Sequence, residues 1–182
     1  MHLLLGPRLP GAVETARVLV VGFGNDLVGD DGAGLAVVRR LGGAPRPSGP
    51  SSAGPSPSFP LALRAVEGHS DSLRLPALWN GEPDVWLVDA LLRGAAPGTV
   101  HRLSHEEILA VPQRHGTAHQ LSLPESLRWI AHAHPEMAPV RYRLWGIEPG
   151  RLTLGEGLTP EVEAVVETVC EEIRREAAHR RP

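Results

Sequence analysis

Lysine is absent from this chain: all 18 of its cationic residues are arginine. A Schiff-base lysine and the lysine of a phosphate-binding P-loop are therefore excluded. Cysteine occurs once, at Cys170. No disulfide framework and no cysteine-built metal site can form within one chain, and a reducing compartment is permitted. Aromatic residues make up only 4% of the sequence, so the core is expected to rest on Leu, Val and Ala. The formal net charge of −3 offers no basic field for nucleic acid or an anionic membrane. No apolar run approaches the ~20 residues needed to cross a bilayer. The Leu3-Leu4-Leu5 cluster has no basic residue ahead of it, so it reads poorly as a signal peptide. A cytoplasmic protein without nucleic-acid or membrane partners is expected.

What is present fits one domain. At 182 residues the chain can bury a sizeable core, and 42% hydrophobic content is ordinary for a globular protein. Residues 1–16 read as an N-terminal extension, 17–178 as a single α/β domain and 179–182 as a tail. Within the domain, Pro, Gly and Ser crowd residues 42–60, which are almost without apolar side chains and read as a flexible insertion.

Apolar runs at Arg17 to Val21 and Asp84 to Val88 read as strands buried on both faces. Further strands are predicted at Leu61 to Val66, Thr99 to Leu103 and Arg141 to Ile147, and a weaker, Pro76-interrupted helix over Gly68 to Asn80. Leu35, Val38 and Leu41 recur at helical spacing. Ser104 with Glu107, and Ser122 with Glu125, read as capping boxes. Thr159 and Pro160 open a last helix whose apolar stripe is Val162, Val165, Val166, Val169, Cys170 and Ile173. Strands alternating with helices predict a three-layer α/β sandwich, with a mostly parallel twisted central sheet flanked by helices.

The chemistry concentrates in Gly22-Phe23-Gly24-Asn25-Asp26-Leu27-Val28-Gly29-Asp30-Asp31-Gly32-Ala33-Gly34, directly after the first strand. Its glycines allow a tight turn and close approach to a ligand. Two adjacent carboxylates stand where open α/β sheets bind ligands. A dinucleotide fingerprint fails here, because its third glycine would fall at Leu27 and the two acids would repel a pyrophosphate. One of the acids, Asp30, is expected to cap the helix that follows. Gly24, Asn25 and Asp30 are expected to belong to a substrate loop.

This pattern, G-x-G-N-x-L-x-x-D-D-G-x-G, resembles the N-terminal motif of the hydrogenase maturation proteases and is complete from Gly22 to Gly34. Further stretches follow in the family's order: Val88-Asp89-Ala90, Ala96-Pro97-Gly98-Thr99, His119-Gln120-Leu121, Leu144-Trp145-Gly146-Ile147-Glu148-Pro149 and Gly157-Leu158-Thr159-Pro160-Glu161-Val162. The resemblance spans roughly residues 17 to 175. It implies an endopeptidase that trims the C-terminal extension of a nickel-loaded hydrogenase large-subunit precursor. It also implies three metal-binding and catalytic positions: Asp31, Asp89 and His119. The implied nickel is carried by the precursor, with zinc or another divalent ion as a surrogate.

Read by chemistry, two carboxylates and an imidazole form a mixed oxygen and nitrogen set that suits nickel or zinc and leaves coordination positions open. Asp31 and Asp89 are both expected just beyond strand ends. His101, His105, His115, His132 and His134 are expected to be solvated. The last two lie two apart on a helix and point away from each other. Where the family commonly has Gly-Thr-x-Gly, this chain reads Glu67-Gly68-His69-Ser70-Asp71, which makes Glu67 and His69 further candidates.

Two mechanisms remain open, metal-assisted attack by water and an aspartic-type use of Asp31 and Asp89. Cys170 is expected in the core rather than as a nucleophile. The competing functions are a non-catalytic nickel-binding assembly factor and a small nucleotide-binding or hydrolase domain that shares the glycine loop. A monomer is the expected state.

Overall fold

Val18–Phe23 is apolar, apart from one glycine, and buried at every position, which is what a central strand covered on both faces requires. In the computed structural model this strand, β1, leads through a 3-10 turn (Gly29–Gly32) into helix α1 (Ala33–Leu41). There follow β2 (Leu63–His69), a single helical turn α2 (Leu75–Leu78), β3 (Asp84–Ala90) and β4 (Val100–Ser104). The chain continues through α3 (His105–Ala110), α4 (Leu123–Ala133), β5 (Arg141–Ile147) and α5 (Pro160–Ala178). The structure describes residues 16–42, 63–111, 122–155 and 157–179. The N-terminal extension as far as residue 15, residues 43–60 of the insertion, His115 and His119 lie outside them.

The strands form one sheet in the order β2-β1-β3-β5-β4. Pairings β1–β2, β1–β3 and β3–β5 are parallel, and β4 runs antiparallel to β5. One face packs Val18, Val20, Trp86, Val88, Trp145 and Ile147 against α1 and α5. The other packs Leu19, Val21, Val85, Leu87, Tyr142 and Leu144 against α3, α4 and α2. The alternation along each strand thus feeds two apolar layers, giving the three-layer α/β sandwich. Although aromatics are scarce, Trp86 and Trp145 are among the largest fully buried side chains, with ring centroids 5.3 Å apart.

Both capping boxes form as expected. The α5 stripe is buried at Val162, Val166, Val169, Cys170 and Ile173, with Val165 at its margin. Two segments differ. Instead of a helix over Gly68 to Asn80, β2 runs on to His69, followed by a short 3-10 turn (Ser72–Arg74) and α2. Pro76 lies in the first turn of α2, where it has no intrahelical hydrogen bond to lose. In addition, Asp89 lies inside β3, paired with Gly146 of β5, and not beyond the strand end.

Candidate active site

The order β2-β1-β3 makes β1 and β3 the switch point of the sheet, because the chain leaves β1 toward β2 on one side and builds β3, β5 and β4 on the other. A crevice outside the carboxyl ends of the strands opens there in folds of this kind. Asp31 follows β1 and Asp89 is the penultimate residue of β3.

The motif glycines make this meeting possible by letting backbone approach backbone rather than ligand. Gly24 has φ +130°, and a Cβ there would collide with the Asp31 carbonyl oxygen. Gly34 opens α1 so close to the sheet that a Cβ would strike the carbonyl oxygens of Phe23 and Val88, the latter beside Asp89.

Asp31 and Asp89 are both half-buried. Burial raises Asp31, opposed by the Asn25 N–H. Burial first, and the facing Asp31 charge second, push Asp89 up to about 7, against a single N–H from Ala90 at 2.9 Å. The two acids, 58 positions apart in the chain, therefore come near enough for the Asp31 charge to oppose ionisation of Asp89. Their third predicted partner, His119, lies outside the described residues. Among the described residues no group of three or more His, Cys, Asp and Glu side chains could hold a metal.

Of the predicted substrate loop, Gly24 is buried and Asn25 half-buried, its Oδ1 accepting from the Leu27 N–H at 3.0 Å. Asp30 is fully buried and faces away from solvent. It makes no capping bond to the helix it was expected to cap. Instead its Oδ2 accepts from the N–H groups of Gly150 and Arg151 at 2.8 Å each and from the Thr159 hydroxyl at 2.9 Å. Its Oδ1 accepts from the Thr159 N–H at 2.6 Å. Burial alone would raise Asp30, but these donors together hold it below the ordinary carboxylate range.

Glu67 is taken up by Arg39, at 3.1 and 2.7 Å, and the same guanidinium holds Asp26 of the glycine loop at 2.9 and 2.7 Å. His69 is exposed, with the left-handed φ of 54°, and its carbonyl accepts from the Gly24 N–H at 3.0 Å. His101, expected to be solvated, is a correction: its side chain is 16% exposed and its Nε2 lies 2.9 Å from Glu148. A strand alternates its faces, and a histidine early in an edge strand can turn toward the sheet end; spacing alone does not reveal this. The sequence reading also missed Arg39 and Thr159, because their partners are distant in the chain.

Asp31 and Asp89 thus lie near each other at the switch point of the sheet, the end where open α/β folds bind ligands. A family model described as hydrogenase maturation protease matches residues 64–176. The hydrogenase 2 maturation protease of Escherichia coli strain K12 is 27% identical over 158 residues, spanning 86% of this chain and 88% of that protein. The solved structure of the hydrogenase maturating endopeptidase HybD from Escherichia coli superposes with a TM-score of 0.67 at 27% identity, covering 86% of this chain and 89% of that one. The NiFe hydrogenase maturation protease HybD from Thermococcus kodakarensis gives a TM-score of 0.66 at 26% identity, with 88% and 99% covered. The chain belongs to the hydrogenase maturation protease family and is a peptidase.

Proposed function

We propose that this chain removes the C-terminal extension of a hydrogenase large-subunit precursor after nickel has been loaded, the metal arriving as part of the substrate. Asp31 and Asp89 engage that metal, and the family motif supplies His119 as the third donor. The observation that carries the reading is that both acids are raised, Asp31 by burial and Asp89 to about 7 by burial and the facing Asp31 charge. A divalent cation would offset both shifts, and two hard oxygen donors with an imidazole suit nickel.

A bound metal would supply Lewis acidity toward the scissile carbonyl. The chain's own contribution is proton traffic. A carboxylate oxygen left off the metal can take a proton from attacking water and return it to the leaving amine. Cleavage then waits for metal loading because the precursor is held through its metal. No described helix is long and apolar enough to cross a membrane, and we place the reaction in the cytoplasm, carried out by a monomer.

Mass spectrometry of a nickel-loaded precursor, incubated with and without the protein, tests this reading. Loss of a C-terminal fragment only with the wild-type chain is expected, and Asp31→Asn should leave the precursor whole. An intact precursor in the presence of the wild-type protein would instead indicate a non-catalytic nickel-binding assembly factor. The Asp89 value also favours a second mechanism, an aspartic-type pair in which one acid is protonated and the other ionised. Cleavage that survives stripping of nickel from the precursor would select it.

A further inference from the structure

Glu148 directly follows β5 and is only 1% exposed. An ionised carboxylate at that depth needs a full set of donors. Its Oε1 accepts from the N–H of Gly94 at 2.8 Å and of Arg93 at 3.0 Å. Its Oε2 accepts from the Arg93 N–H at 2.9 Å and meets His101 Nε2 at 2.9 Å. Facing a carboxylate oxygen, that ring nitrogen is the donor. All of these donors lie between Asp89 and the middle of β4.

The main chain reinforces the grip. Leu91 N–H donates to the Ile147 carbonyl at 2.9 Å, Gly98 N–H to the Glu148 carbonyl at 2.8 Å, and Glu148 N–H to the Thr99 carbonyl at 2.8 Å. A few residues on, Gly150 and Arg151 donate to Asp30, and Asp30 N–H donates back to the Arg151 carbonyl at 2.9 Å. Residues 147–151 therefore hold both acid-bearing loops, one through Asp30 beside Asp31 and the other through the segment that leaves Asp89.

We propose that Glu148 is a positioning residue: oriented by His101, it fixes the loop leaving Asp89 and so sets the placement of Asp89 against Asp31 during cleavage. The proposal rests on those two acids being the working pair. The negative charge matters because both Glu148 oxygens must accept. In Glu148→Gln, an almost isosteric change, the new amide N–H groups would face either the N–H groups of Arg93 and Gly94, donor against donor, or His101 Nε2, which would then have to give up its proton and accept, reversing the bond that orients the side chain.

The test compares Glu148→Gln, His101→Gln and His101→Leu with wild type in the precursor-cleavage assay. Glu148→Gln should lower kcat about 10- to 100-fold, as loss of an outer partner of a working ligand commonly does. KM should change less than kcat, because Asp31 and the proposed His119 still hold the precursor through its metal. Amide hydrogen exchange should accelerate in residues 91–98 and stay unchanged in β1 and β3. His101→Gln keeps a donor near Nε2 and should retain wild-type kcat, whereas His101→Leu should follow Glu148→Gln. Should Glu148→Gln fail to fold, the two His101 variants decide alone.

A folded Glu148→Gln with wild-type kcat would overturn the inference, as would exchange accelerated equally throughout the sheet, or a fully active His101→Leu. Asp31→Asn, run alongside, separates the two readings. If it is inactive while Glu148→Gln is active, only this inference falls; if it cleaves normally, the acid-pair reading falls and takes the inference with it.

Discussion

Asp30 and Glu148 share the carboxyl end of the sheet with Asp31 and Asp89, and all four carboxylates are partly or wholly buried. Burial raises every one of them, yet Asp30 and Glu148 end below the ordinary carboxylate range while Asp31 and Asp89 end above it. Supply of donors makes the difference. Thr159, Arg151 and Gly150 serve Asp30, and His101, Arg93, Gly94 and Ala95 serve Glu148. Asp31 has Asn25, and Asp89 has Ala90. A saturated carboxylate is a staple for the chain, whereas an undersupplied one has its ionisation opposed. Two adjacent residues, Asp30 and Asp31, fall on opposite sides of that divide.

The sharpest way to break the comparison is Asp89→Asn. Cleavage should fall ~10²- to 10⁴-fold, the scale of a lost acid–base group. Its stability should respond in the opposite sense. The unfolded chain releases the Asp89 proton near pH 4, whereas the folded one holds it to about 7, so ionisation opposes folding increasingly across that interval. Thermal melts should therefore place the variant above wild type at pH 8 and level with it at pH 4. A lower Tm at pH 8 would show that Asp89 is stabilising after all.

Asp30→Ala attacks the saturated side. It removes the acceptor for the N–H groups of Gly150, Arg151 and Thr159 and should cost about 3 kcal/mol in urea unfolding. The pH dependence has the reverse sign from Asp89. A lowered pKa gives stability that is whole above the ordinary carboxylate value near 4 and is lost as pH falls through the lower folded value. Asp30→Asn should therefore flatten the loss of wild-type stability below pH 4, as read by circular dichroism.

Gly24→Ala sets a Cβ against the Asp31 carbonyl at a positive φ and should cost about 2 kcal/mol, with loss of cleavage. Cys170→Ala should be the mildest change. Its thiol is buried and pushed up to about 11 by that burial, so removal should cost about 1 kcal/mol and leave cleavage intact.

Much of the architecture was legible because it is periodic or local. The apolar run of β1, the α5 stripe and the two capping boxes each depend on residues a few positions apart. That Asp31 and Asp89 come near each other was implied by the family motif and by an acid at a strand end, and the structure brings Asp31 near enough to raise Asp89. What stayed hidden depends on partners far along the chain. Glu148 contacts amides 54 and 55 positions away, and Asp30 reaches 120 to 129 positions. Backbone amides carry no side-chain signature, so nothing in the letters Arg93 or Gly94 announces a donor. The glycines were legible as a cluster, but their purpose, contact of loop with loop and helix with strand, needed three dimensions.

The antiparallel direction of β4 has a practical consequence. A parallel strand would have required a crossover helix, but here the chain leaving Asp89 returns at once to the same end of the sheet, where Val100 pairs with Ile147. The surface beside the acids is thus carried by a short strap anchored at both ends through main-chain groups. Such a strap is modular: side chains at its exposed positions, such as Leu92, can be exchanged between family members while the sheet is left alone. Grafts must keep Gly94 and Gly98, which have positive φ, and keep proline out of the donor positions at Leu91, Arg93 and Ala95.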